Sequence, residues 1–143
     1  MMITKIEIDI NVENEKVFKS IKDFWKKKII DLEDIVLMKD SECGKYEYIY
    51  IFSDESTSNL LVNIFLKNEI TIFKRIDFTQ DMINIINSNE LENFKNSLSC
   101  TENFDEIMHP FIFEHINQDM ILDKINLLGM NSLKEHDYKI LKS

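Results

Sequence analysis

Apolar and polar positions interleave from the start of the chain. Met2, Thr4, Ile6, Ile8 and Ile10 alternate with Lys5, Glu7 and Asp9, a period that predicts a half-buried strand. The spacing then changes. Over Glu13–Ile30, Val17, Phe18, Ile21, Phe24, Trp25 and Ile29 recur at helical intervals, while Lys16, Lys19, Lys22, Asp23 and Lys26 fill the outer face. Lys26-Lys27-Lys28, the one basic run, completes the carboxyl end of that helix. Asp31–Asp34 is an acidic break. Ile35–Met38 predicts a short strand that pairs with Tyr46–Phe52 through a turn at Ser41-Glu42-Cys43-Gly44, where Gly44 can take a positive φ.

The stretch Tyr46–Phe78 supplies the core. Its three apolar runs, Tyr46–Phe52, Leu60–Leu66 and Ile70–Ile76, have strand length and are rich in β-branched and aromatic residues. Tyr46, Tyr48, Tyr50 and Phe52 share one face of the first run, which the first helix is expected to cover; Ile49 and Ile51 share the other. Ser53–Ser58 is a polar loop. The short Lys67-Asn68-Glu69 link predicts that the second and third runs pair antiparallel.

Beyond Phe78 the pattern turns helical. Thr79 caps a helix carrying Met82, Ile83, Ile85 and Ile86, which Asn87-Ser88-Asn89 interrupts. A second helix holds Leu91, Phe94 and Leu98, and Thr101 or Asn103 caps a short turn with Phe104 and Ile107. Pro110–Ile116 fits strand or helix. Gln118–Leu128 reads as a helix with Met120, Ile121, Lys124, Ile125 and Leu128 on one side and Gly129 as its stop. The type of the last segment is left open. The expected architecture is a single α+β domain over residues 1–143. A mostly antiparallel sheet of about five strands carries the first helix, followed by a helical carboxyl part.

Composition narrows the function classes. The 143 residues include 23 Ile, no Ala, one Arg (Arg75), two Gly and one Pro, which argues against a Gly-rich phosphate loop or a disordered linker. No apolar run has the length of a bilayer span or a signal-peptide core, so the expected location is cytoplasmic. There Cys43 and Cys100 are free thiols, far apart and without metal-ligand spacing.

The charge of −9 is unevenly placed. Residues 77–123 hold ten acids, namely Asp77, Asp81, Glu90, Glu92, Glu102, Asp105, Glu106, Glu114, Asp119 and Asp123, against Lys95 alone. Such a surface repels nucleic acid and anionic membrane and steers toward a basic protein. The bland alternative is that acids solvate the outer faces of these helices, yet such faces normally mix signs.

Candidates for chemistry are few. Glu114-His115 lacks a second His four residues on, so no metalloprotease pair exists. His109, His115 and Asp119 could meet at a metal only by chance of folding, and no cofactor or metal is implied. Cys43 has no His nearby in sequence, and Ser97 and Ser99 lack a nucleophile elbow. The tyrosine stripe has the form of a base-stacking platform, but the surrounding charge is wrong for phosphates.

In size, acidity, Ile/Lys/Asn richness and its acids between Asp77 and Asp123, the chain resembles the immunity proteins of bacterial contact-dependent-inhibition and related polymorphic toxin systems. The resemblance implies a protein, not an enzyme, that binds one cognate toxin domain, often a nuclease with a basic cleft, and neutralises it. The ten acids would then be the partner-binding residues. Two other classes compete with it: a nucleic-acid-mimicking inhibitor of a restriction or RNA-guided nuclease, and a small enzyme. A homodimer built on a sheet edge or an aromatic patch also stays open.

Overall fold

The computed structural model describes residues 2–27, 35–40, 46–53, 55–98 and 104–142. The expected turn at Ser41–Gly44, the acidic break, Lys28, Ile29, both cysteines, Ser99, Thr101, Glu102 and Asn103 lie outside these residues. Two compact units are distinguished: Met1–Thr79 with Leu98–Thr101, and Gln80–Ser97 with Glu102–Ser143.

In the first unit β1 (Met2–Ile8), α1 (Asn14–Lys27), β2 (Ile35–Asp40), β3 (Tyr46–Ser53), α2 (Glu55–Lys67) and β4 (Phe73–Asp77) follow in chain order. The strands form one antiparallel sheet in the order β2-β3-β1-β4. Each helix therefore links two strands that flank a third, β1 and β2 about β3, then β3 and β4 about β1. This is the split βαβ, or ferredoxin-like, connectivity.

The register explains the core. Ile6 pairs with Ile49 and Thr4 with Ile51, which puts Ile6, Ile8, Ile49 and Ile51 on one face. Val17, Ile21 and Phe24 of α1 pack with them, as do Leu61, Ile64 and Phe65 of α2 and Ile70 after it. Both helices cover the same side of the sheet. Ser20, also buried, donates to the Lys16 carbonyl at 2.8 Å and accepts from the Asn68 amide at 2.9 Å, which bridges the two helices without an orphaned hydroxyl.

Three expectations are corrected. The sheet does not have about five strands: among the described residues it has four, because Leu60–Leu66 is helix. Its buried positions run 57, 58, 61, 64 and 65, a helical spacing that starts inside the supposed polar loop. A short apolar run is compatible with either element, and here the apolar residues alone hid the period. Lys67–Glu69 is accordingly a helix end. Ile70 N–H donates to the Phe65 carbonyl at 2.8 Å and Glu69 N–H to that of Leu66 at 3.2 Å, with Glu69 at φ 64°. These are the two bonds of a Schellman cap, and buried Ile70 supplies its apolar contact. Of the third run, Ile70–Ile76, only the part from Phe73 onward is strand, which continues to Asp77.

Second, the tyrosine face is not covered by α1. Tyr48 and Tyr50 stand opposite Glu7 and Lys5 on the side away from both helices. Third, Phe18 and Trp25, expected in the buried stripe of α1, are 51% and 44% exposed. The face that packs is narrower, holding Val17, Ser20, Ile21 and Phe24.

The second unit is helical, as expected of the carboxyl part. It comprises α3 (Thr79–Asn87, entered from the first unit), α4 (Leu91–Asn96), α5 (Phe104–His115), α6 (Gln118–Leu128), a 3-10 turn over Met130–Ser132 and α7 (Glu135–Lys142). The ambiguous Pro110–Ile116 segment belongs to α5 as far as His115. Phe104, Ile107, Met108, Phe111 and Ile112 make its buried stripe at helical spacing, and that packing holds a helix with Pro110 inside it.

Candidate protein-binding surface

The helix ends decide where the acids fall. Asp81 lies in the first turn of α3, Glu92 of α4, Asp105 and Glu106 of α5, and Asp119 of α6. Unsatisfied N–H groups at a helix start favour negative charge by about 0.3–1 kcal/mol each. Asp77, at the end of β4, accepts from Thr79 N–H at 3.0 Å. That backbone bond holds its carboxyl below the usual range. Glu90 precedes α4 and accepts from the Asn93 amide at 2.6 Å. Glu114 sits in the last turn of α5, 3.9 Å from the His115 imidazole. Asp123 lies one turn beyond Asp119, on the same side of α6.

Pairing is sparse. Lys95, the lone base of the segment, meets Asp105 at 3.7 Å. Asp81, Glu92, Glu106, Asp119 and Asp123 are exposed, and none has a cationic partner among the described residues. The structure places Asp77 in the first unit and the other described acids in the second, and Glu102 lies outside the described residues.

The second unit also holds a groove of about 580 Å³. Ile86, Phe104, Met108 and Ile112 form its apolar part, and Asn89, His109 and His136 its polar part. Glu92, Asp105 and Glu135 stand at it together with Lys134 and Lys139. Lys139 pairs with Glu135 at 3.4 Å, so the charges at the groove nearly balance. Asn89 takes φ 57° to end α3 and donates through its amide to the Ser132 carbonyl at 2.7 Å. Its Oδ1 is buried and has no partner among the described residues, so it contributes no surface that a ligand could reach.

Sequence reasoning missed the cluster beside this groove. Lys124 Nζ lies 2.7 Å from Asp137 Oδ2, with both side chains almost wholly buried. The same oxygen accepts from Lys134 N–H at 2.8 Å, tying off the start of α7. His136 Nε2 is 3.1 Å from Asp137 Oδ1, too poorly aligned for a hydrogen bond. Burial lowers the His136 pKa, against the pull of Asp137, and Lys124, Lys134 and His109 lower it further. The signal was present in the sequence: Lys124 occupies an apolar-face position of α6 beside Ile121.

His109 and His115 do not converge with Asp119 on a metal. His109 packs on Phe113 at 4.6 Å and His115 on Phe111 at 4.4 Å. No cluster of three metal-binding side chains occurs among the described residues. In the first unit Lys5 Nζ sits 4.2 Å from the Tyr48 ring centre, and the Tyr50 ring packs at 5.2 Å and a tilt of 57° against Phe78. Tyr50 is only 4% exposed, and burial pushes its hydroxyl up to about 12. A ring so enclosed offers no face to a base.

Taken together, fold and site define an α+β chain whose split βαβ unit precedes a helical, acid-bearing unit. No protein-family model, curated protein or solved structure matches it.

Proposed function

We propose that the chain is a binding protein of the immunity type, which captures a cognate toxin domain of basic surface and neutralises it. By its charge the target would be a nuclease whose cleft is built for phosphate. The carrying observation is the set of exposed carboxylates on the second unit, Asp81, Glu92, Glu106, Asp119 and Asp123, none of which forms an ion pair among the described residues. Unpaired acids on helices steer a basic partner into encounter. A split βαβ fold itself carries no function.

The test is co-expression of the chain with the product of the open reading frame next to its gene. Restored growth of cells poisoned by that product, with a binding rate that falls steeply in salt, is the expected result. Changing Glu92, Glu106, Asp119 and Asp123 to Lys should cut the association rate by about tenfold or more. Growth rescue with an association rate indifferent to both salt and charge reversal would remove the acidic surface from the account.

A further inference from the structure

We infer that the centre of this dock is the solvent face of α6, and that it fits a protein partner with an apolar pocket rimmed by Lys or Arg. The inference rests on the immunity-type reading and names the surface and the partner chemistry within it. Spacings of three and four residues put Asp119, Leu122, Asp123, Asn126 and Leu127 on one side of α6. Ile121 and Lys124 take the buried side. Leu122 is 51% and Leu127 83% exposed, and Met130, just past the helix end, is 58% exposed.

Exposed Leu122 between Asp119 and Asp123, with exposed Leu127 one turn beyond Asp123, supplies the two halves of a binding site: an apolar anchor and a charged edge. The charges also select among occupants. A second copy seated by two-fold symmetry would bring the Asp119 and Asp123 of both chains together, which like-charge repulsion opposes. An anionic lipid surface meets the same repulsion. A basic protein surface meets attraction at the rim and burial at the leucines.

The probe is a synthetic amphipathic helix built of leucine and lysine only, titrated into the full chain with amide shifts followed by NMR. Shifts should centre on residues 119–130. Leu127→Ala should weaken binding by about tenfold through faster dissociation, and the pair Asp119→Asn with Asp123→Asn should flatten its salt dependence. All three side chains are exposed, and unchanged thermal melting of the variants checks that folding is intact. Shifts spread evenly over Asp81, Glu92 and Glu106, with Leu127→Ala silent, would overturn the α6 assignment and leave the acidic dock standing. No binding even at low salt would overturn both. Self-association of the free chain that Leu127→Ala abolishes would overturn the assignment in favour of a second copy.

Discussion

Removing either member of the Lys124–Asp137 pair should cost far more than the pair itself contributes, and the two losses should differ. At 2.7 Å and an effective dielectric near 20, the attraction is roughly 6 kcal/mol, offset by several kcal/mol of lost hydration for each ion. The intact pair is therefore close to neutral, whereas a surviving partner keeps its hydration loss uncompensated, about 3–5 kcal/mol. Asp137→Ala strands Lys124 and also frees Lys134 N–H, which places it at the upper end of that range. Lys124→Met leaves Asp137 with His136 at 3.1 Å. Loss of Lys124 removes one of the charges that depress His136, so the imidazole can take a proton and stand in for the lysine. The Lys124→Met loss should then shrink as pH falls from about 7 to 6, while the Asp137→Ala loss should not. Lys124→Met with Asp137→Asn keeps an acceptor for Lys134 N–H and should recover most of the stability. Urea unfolding at several pH values, with hydrogen exchange read on α6 and α7, measures all three. Equal losses for the single variants at every pH, or losses under about 1 kcal/mol, would show that the pair is solvated and the reasoning wrong.

In the parent chain the His136 pKa lies below its unfolded value near 6.5, so the unfolded state binds the extra proton first. Stability contributed by the neutral imidazole is present above that value and is lost as pH falls through it toward the folded pKa, and His136→Gln should remove this slope from the unfolding curve. Glu69 at φ 64° makes a left-handed helix cap without glycine, so Glu69→Gly should raise stability by about 0.5–1 kcal/mol in thermal melts; a loss would mean that the Glu69 side chain matters more than its backbone strain. Phe65 is fully buried and neighbouring Leu66 is exposed: Phe65→Ala should cost about 3–5 kcal/mol and Leu66→Ala under about 0.5 kcal/mol. Comparable losses at both positions would contradict the packing of α2.

What could be read from the sequence tracks how far each signal is local. β1 and α1 carry long periods of their own, and both were legible. The hairpin strands β2 and β3 were legible because Ile49 and Ile51 alternate with the tyrosines. α2 was not, because its first buried positions are Thr57 and Ser58, side chains that read as loop. Ser58 and Asn59 are held by Arg75, through a close contact from one guanidinium nitrogen and a 2.6 Å bond from the other. That tertiary tie between α2 and β4 leaves no trace in local spacing. The same holds for the tyrosines: alternation assigns them to a face, but only strand order says which face the helices cover. Of the site, the acids were legible as a count. Their positions at helix starts depended on boundaries that Asn89 and Asn117 set through cap geometry.

Those positions raise the strongest objection to a binding role, since a carboxylate at a helix start has a local reason to be there. The other helix ends answer it. In the first unit, α1 and α2 carry acids in the first turn and lysines in the last, as macrodipole complementarity predicts. In the second unit α4 and α7 keep that pattern, with Lys95 and with Lys139 and Lys142 in their last turns, whereas α3 and α6 carry the acid and no base at the far end. If stabilising the dipole alone set the charges, both ends of α3 and α6 would be filled, as they are in α1, α2, α4 and α7 of the same chain. Asp123 lies a full turn past the start of α6, where the dipole benefit has decayed, yet it stands exposed beside Leu122 and Leu127. Helix stabilisation thus accounts for the first-turn acids one by one and leaves the bases missing from α3 and α6, and Asp123, unexplained, and that remainder is what a basic partner would meet.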